Sequence, residues 1–207
     1  DRRRHPFTFS TEASIDLSDD HELMRLMVRA GFDGVFVGIE TPSEDSLAEC
    51  GKLQNKGRDL VACVRKMQSF GLEVRGGFIV GFDHDSPEVF ENQVDLIQNS
   101  RIVTAMVGLL NAPRGSRLYQ RVVREGRLLR EASGDNTDFF TNLEPRMGLE
   151  ALYQGYHRLI AGIYSPGPYY ERVRAYLREF KTPKGKRLHF HPAYLRLHSG
   201  YSLALFK

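Results

Sequence analysis

Sulfur is scarce in this chain: 207 residues include only two cysteines. Cys50 and Cys63 stand thirteen positions apart on helical patterns, which is neither a CxxC metal spacing nor a disulfide framework. They are expected as reduced thiols in the core or on a helix surface. Long apolar runs are missing too. None approaches the roughly 18 residues that cross a bilayer, and no signal-peptide pattern opens the chain, so a cytoplasmic location is the expectation. Acidic residues vanish from the last stretch, where residues 181–207 hold six Lys and Arg, three His and no Asp or Glu. Basic tails of this kind can bind nucleic acid or an anionic surface. This one lacks an interleaved aromatic platform or a recognisable motif, so solvation or docking on the rest of the protein is expected, and nucleic acid is not an expected partner.

What is present describes ordinary globular matter, with 41% hydrophobic residues, mean hydropathy −0.39 and a formal net charge of +3. Such a chain forms one domain of usual size, about 100 to 200 residues. Its first residue is Asp1, and DRRRHP runs almost directly into the apolar FTFST. That opening reads as a cut through a larger chain.

Three stretches share one plan: GVFVGIET at 34–41, EVRGGFIVGFD at 73–83 and TAMVGLLNAPRGS at 104–116. Each is an apolar run bounded by glycine and polar residues and followed by a helical pattern, as a parallel strand buried on both faces reads. With FTFST at 7–11, strand starts fall at 7, 35, 74 and 104, close to the roughly 30-residue spacing of a βα unit. The helix after the first strand is expected over 19–30, capped by Ser18, stopped by Gly31, with Leu23, Leu26, Met27 and Ala30 on its inner face. Helices are also expected at 44–50 and at 58–70, the latter with Leu60, Val64 and Met67 inward. Ser86 and Pro87 should open another, as N-cap and first-turn proline, with Phe90, Val94 and Ile97 inward.

Four such units make half of a (β/α)8 barrel or one side of an open parallel sheet. Four parallel strands leave two unpaired edges, an aggregation hazard unless covered, which implies further strands upstream. After residue 110 the pattern changes to a helix at 116–125, a polar loop at 127–146 and two amphipathic helices. Leu152, Tyr156, Leu159 and Ile163 should face inward on the first, and Val173, Tyr176, Leu177 and Phe180 on the second. Residues 1–126 thus form a barrel part, 127–181 a helical extension and 182–207 a basic tail. Parallel sheets carry their chemistry at the carboxyl ends of the strands, where Glu40, Asp83 and Asn111 stand.

In this order, TEASIDLSDDHELMRLMVRAGFDGVFVGIETPSEDSL, GLEVRGGFIVGFDHDSPEVFENQ and AMVGLLNAPRGSRLYQRVVREGRL resemble the radical S-adenosylmethionine superfamily. Within it, the chain resembles the cobalamin-binding radical enzymes. The later GDNTDF and YSPGPYYERVRAYLREF resemble the C-terminal domain of unknown function that hopanoid methylase-like members also carry. The resemblance implies the C-terminal half of a TIM-like radical barrel, strands three to six, followed by a helical extension. It implies a 5′-deoxyadenosyl radical made from S-adenosylmethionine, then methylation of an unactivated carbon in a lipid or other small molecule.

It also implies residue roles. Glu12, and Glu40 with Gly38 of the GIE motif, would contact the ribose or methionine portion of the cofactor, because carboxylates accept hydrogen bonds from hydroxyls and an ammonium. Glu12 alternatively caps a helix or stands at the barrel mouth. Gly77, Ile79 and Gly81 match a GxIxG pattern on which adenine would lie, and Asn111 would reach the base edge. Arg75 either pairs with the cofactor carboxylate or faces outward. Asp83, His84 and Asp85 either face substrate or form a turn and cap the next helix. His189 and His191 lack a third ligand and stay unassigned.

The CxxxCxxC loop that would hold a 4Fe-4S cluster is absent, and so is a cobalamin-binding domain. Two distant cysteines cannot ligate three irons. The cluster and cobalamin would therefore be bound by the missing N-terminal half, and this piece alone is expected to be inactive. The competing expectation is a noncatalytic half barrel that binds a partner protein, or nucleic acid through residues 181–207. A phosphate-binding barrel would want a glycine-rich loop entering a helix, which is not clear here.

Overall fold

The computed structural model describes residues 7–132, 134 and 139–180, so the basic tail with His189 and His191 lies outside the described residues. In chain order the elements are β1 (Phe9–Ala13), α1 (His21–Ala30), β2 (Phe32–Glu40), α2 (Glu44–Glu49), α3 (Leu60–Phe70), β3 (Glu73–Val80), α4 (Val89–Ser100), β4 (Ala105–Leu109), α5 (Arg117–Arg124), α6 (Leu149–Tyr164) and α7 (Pro166–Glu179). Short 3-10 turns occupy Ile15–Asp19 and Leu53–Asn55. The strands form one parallel sheet in the order β1-β2-β3-β4. This is the expected α/β class: four parallel strands and, among the described residues, seven α-helices, compatible with a partial βα barrel and a helical extension.

Local chemistry sets the element ends. Asp59 accepts a hydrogen bond from Ala62 N at 2.9 Å to start α3, and Ser116 accepts one from Tyr119 N at 3.0 Å to start α5. These satisfy backbone donors that a helix leaves orphaned at its first turn. For α1 the cap is Asp20, which accepts from Leu23 N at 2.8 Å, while Ser18 is buried in the preceding 3-10 turn. That corrects the Ser18 assignment. The α4 helix begins at Val89 after Glu88, with Ser86 contributing its carbonyl to Val89 N at 3.0 Å, so Ser86 belongs to a turn and Pro87 is not its first helical residue.

One face of the sheet packs under helices. Val35, Val37, Ile39, Val74, Phe78 and Val80 are buried there against Met24, Val64, Met67 and Ile97. Each such side chain stabilises the fold by about 1.5–3 kcal/mol on full burial. The expected inward residues of α6, Leu152, Tyr156, Leu159 and Ile163, are all buried in this same core. Close approach of α4 and α6 is fixed at Gly155, where a Cβ would overlap the Phe90 ring.

The α1 helix docks largely through another face than that expected, and α7 departs only in part, with Val173, Tyr176 and Phe180 half-buried but Leu177 exposed. Leu23 and Leu26 are 45% and 47% exposed, and α1 enters the core through Met24, with Met27 and Val28 beside it. Apolar residues on more than one side of a helix leave its docking face undetermined by periodicity. On α7, Leu177 is 65% exposed and Arg172 is 2% exposed. Arg172 spends its charge on the Tyr164 and Tyr169 rings, 5.8 and 5.5 Å away, and on the Gln98 side-chain carbonyl. Burial depresses its pKa.

The opposite face of the sheet carries Phe36 and Gly38 on β2, Gly77 and Ile79 on β3, and Met106 and Gly108 on β4. Gly38 pairs with Gly77, Gly77 with Met106, and Ile79 with Gly108. At the β4 edge, alternate peptide groups face β3, as Leu110 N donating to Val80 O and Thr104 O accepting from Gly76 N make plain. The intervening carbonyls point outward and meet side chains. Tyr164 Oη donates to Ala105 O at 2.7 Å, Tyr156 Oη to Val107 O at 3.2 Å and Asn111 Nδ2 to Leu109 O at 3.2 Å.

Candidate functional site

At the carboxyl ends of β2, β3 and β4 lies a cavity of about 420 Å³. Its floor is the open sheet face. Gly38, Glu40, Gly77, Ile79 and Asn111 all line it, whereas Glu12, Arg75 and Gly81 do not.

Glu40 owes its position to a break in the β2–β3 register between Gly38 and Glu40 and to a left-handed backbone, φ 69°. Such a conformation in a residue other than glycine costs of the order of 1–3 kcal/mol and persists only where its surroundings fix it. Gln93 does so, donating to Glu40 O at 3.0 Å and to Ile79 O at 3.2 Å, and Asn55 donates to Gly38 O and Ile39 O. The carboxylate pairs with Lys52 at 2.8 Å. Both charges lie directly above Gly38: a Cβ there would stand 2.7 Å from Glu40 Oε1 and 2.9 Å from Lys52 Nζ. An alanine there would push the ion pair aside. Gly77 is required by Phe36, whose ring would be 2.8 Å from an added Cβ, while at Gly108 the nearest atom is 3.9 Å away.

Glu12 pairs in register with Phe36, and Phe36 with Arg75. Both charged residues therefore share the cavity side of the sheet and the row of Phe36, which lines the cavity, but do not line it themselves. Arg75 bonds Glu73 at 3.4 Å. Gly81, at φ 105°, forms the turn after β3; its N–H donates to Asp85 and its α-carbon faces Leu152 of α6. Asn111 is engaged at both ends of its amide. Nδ2 donates to Leu109 O and Phe140 O, and Oδ1 accepts from Asn142 N at 3.0 Å.

Asn111 thereby belongs to a latch. Asn142 donates to Ala112 O at 2.9 Å and accepts from Ala112 N at 2.8 Å, and Thr141 donates to Leu110 O at 2.6 Å. These bonds hold the later arm of the polar loop across the end of β4, bringing Arg130, Glu131 and Phe140 to the cavity.

Asp83 and Asp85 serve the rim. Asp83, nearly buried, receives both Arg127 nitrogens at 2.9 and 2.8 Å, with Arg121 at 3.1 Å and Arg146 at 3.4 Å. Burial opposes its ionisation, but the Arg127 hydrogen bonds and the three cationic charges prevail and hold its pKa below the usual range. Asp85 accepts from Ser46 Oγ and from the Gly81 and Phe82 amides, yet burial leaves its pKa raised. His84 bonds Glu49, which also pairs with Arg121. Of the two readings for this trio, the turn is the one its contacts serve. Burial, foremost, raises the Cys50 pKa, so that thiol stays protonated at neutral pH.

Sequence reasoning missed Lys52 and Arg130. Lys52 follows Gly51 in a loop and meets Glu40 only through the return of the chain; no local pattern marks either residue.

Parallel strands, crossover helices and a mouth lined by glycine and a carboxylate are compatible with part of a βα barrel. Residues 116–201 match the family model of a domain of unknown function, DUF4070. The chain is 37% identical over 187 residues to an uncharacterized methyltransferase of Synechocystis sp., a match spanning 90% of this chain and 35% of that protein. It is 36% identical over 129 residues to the hopanoid C-2 methylase of Rhodopseudomonas palustris, covering 62% of this chain and 24% of the relative. A bacteriochlorophyllide d C-12(1)-methyltransferase of Chlorobaculum tepidum is 24% identical over 168 residues, 80% of this chain and 36% of its own length. These matches bear out the resemblance to the cobalamin-binding radical S-adenosylmethionine methylase-like proteins. The chain spans about a third or less of the length of these relatives. Among the described residues no helix is long and apolar enough to cross a membrane.

Proposed function

We propose that the cavity is the S-adenosylmethionine site of a radical methylase of which this chain is the C-terminal part. One observation supports it above others: Gly38, Glu40, Gly77 and Ile79, the strand-end residues of the superfamily motifs, line one cavity. Its volume lies within the range of small-ligand sites, about 300–1,000 Å³, and its glycine floor lets a flat ring approach the backbone. When bound and reductively cleaved, S-adenosylmethionine supplies a carbon radical able to take hydrogen from an unactivated carbon.

The chain's own residues position and shield. Glu40, pre-set by Gln93 and Lys52, accepts hydrogen bonds from the ribose hydroxyls or the ammonium. Gly77 and Ile79 support the base, and Phe36 and Phe140 exclude water from the reacting end. Asn111 acts on the wall rather than on the base, since its amide is engaged. Glu12, Arg75 and Gly81 stand outside the lining and take no part in this reading.

The cluster does not fit here: among the described residues no group of three or more His, Cys, Asp or Glu could hold a metal. The 4Fe-4S cluster and cobalamin belong to the N-terminal portion, residues 1–126 to the barrel and 127–181 to its helical cover. The whole protein is then a cytoplasmic methylase acting on an unactivated carbon of a lipid or other small molecule, and this portion alone is inactive.

The test is calorimetric titration of the full-length, cluster-loaded protein with S-adenosylmethionine. Glu40→Ala is expected to weaken binding about tenfold or more, as loss of a charge-assisted hydrogen bond does, with the cluster absorbance unchanged. Unaltered affinity would remove Glu40 from the site.

A further inference from the structure

The outer wall of the cavity comes from the extension. Leu129 N donates to Asn142 O at 2.9 Å and Glu144 N to Arg127 O at 2.8 Å, with Leu128 and Leu143 bridged antiparallel. These two arms run side by side and set the Arg130 guanidinium over the Phe140 ring, 4.7 Å from its centroid. Both side chains line the cavity, and Phe140 is 53% exposed.

The other polar side chains around the cavity are committed. Glu40 pairs with Lys52, and Glu131 accepts from Arg114 and from Tyr119, each at 2.9 Å. The amides of Asn111 and Asn142 bond to backbone. Among the described residues lining the cavity, Arg130 is the charged one that forms no ion pair with another described residue. Ile79 and Met106, on the sheet face lining the same cavity, are apolar, and Met106 is 54% exposed.

We propose that Arg130 and Phe140 form a specificity-determining subsite for an amphiphilic substrate, an apolar body lying along Phe140 and Met106 with one anionic group on the Arg130 guanidinium. Stacking on the ring pre-orients the guanidinium fork, so less rotamer freedom is lost when it grips a carboxylate, sulfonate or phosphate. The inference rests on the methylase reading of the cavity and names the substrate class that reading leaves open.

The probes are anilinonaphthalene sulfonate, an aromatic body with one anionic group, and its neutral counterpart phenyl naphthylamine, each titrated into the full-length protein by fluorescence. The sulfonate should bind about tenfold more tightly, the worth of one charge-assisted contact. Arg130→Gln should abolish that preference while leaving the neutral probe and the melting temperature unchanged. Phe140→Ala should weaken both probes. Equal binding of the two probes by the unaltered protein overturns the subsite, as does an Arg130→Gln variant that keeps the preference. Calorimetry with S-adenosylmethionine on the same preparation separates the two readings: a sulfonate preference without cofactor binding sustains the subsite and sinks the methylase site, and the reverse result sinks the subsite alone.

Discussion

Glu40 and Asp83 both follow neighbouring parallel strands, and both face cations, yet their surroundings differ in kind. Glu40 has a single Lys52 partner and an open cavity before it. Asp83 is enclosed by Arg127, Arg121 and Arg146, two of which are reached only by way of the loop beyond α5. A carboxylate with spare lone pairs at a strained backbone position is equipped to meet a ligand. One whose oxygens are consumed by three guanidinium groups joins the β3 turn to the extension. Position at a strand end therefore selects the candidates, and the count of partners separates binding from bracing.

The strongest challenge to this contrast is Asp83→Ala. Removing one member of a nearly buried cluster leaves uncompensated charge, and a loss of about 3 kcal/mol is expected, read by denaturant unfolding of the full-length protein. A change under about 1 kcal/mol would make the cluster a surface ornament. The pH dependence carries a sign. Because the folded-state pKa of Asp83 is lowered, its contribution is present above the ordinary carboxylate pKa, about 3.9, and fades as pH falls through the folded value. Asp83→Asn should flatten that acid limb of the stability curve. An acid limb identical to that of the unaltered protein would assign the loss to other groups.

Next in size is Gly38→Ala. The added methyl group displaces the Glu40–Lys52 pair, so cofactor affinity should fall about tenfold with a melting temperature little changed. Gly108→Ala, where the nearest atom is 3.9 Å from the new carbon, serves as the control for stability. If Gly38→Ala lowers the melting temperature while leaving affinity intact, Glu40 is a brace like Asp83. The smallest effect is expected from Tyr164→Phe, about 1 kcal/mol for a hydroxyl that donates to Ala105 O and accepts from Ala105 N, together with increased light scattering on warming. Scattering equal to that of the unaltered protein would show that this hydroxyl does not guard the edge.

Strand positions and the α6 face were legible because both rest on local periodicity: buried strands read as apolar runs, and Leu152, Tyr156, Leu159 and Ile163 recur at helical spacing. The α1 face was not, and the α7 face only in part. In α1, Leu23 and Leu26 compete with Met24 for the core, and tertiary packing decides. In α7, Arg172 is buried through two tyrosine rings and Gln98, a combination no periodicity encodes. The candidate site divides in the same way. Gly38, Glu40, Gly77 and Ile79 sit in motifs along single strands. Lys52 and Arg130 are brought in by loops, and Asn111, which lines the cavity, has its amide turned to the segment around Phe140 and Asn142.

The side chains ranged along β4 have a consequence for how this molecule can be enlarged. Three successive outward carbonyls, of Ala105, Val107 and Leu109, already have donors. An incoming strand on that flank must evict two tyrosines and an asparagine before it forms its first ladder bond, whereas β1 presents no comparable guard among the described residues. Among the described residues the sheet is therefore guarded at one flank only, and an added strand meets less opposition at β1 than at β4.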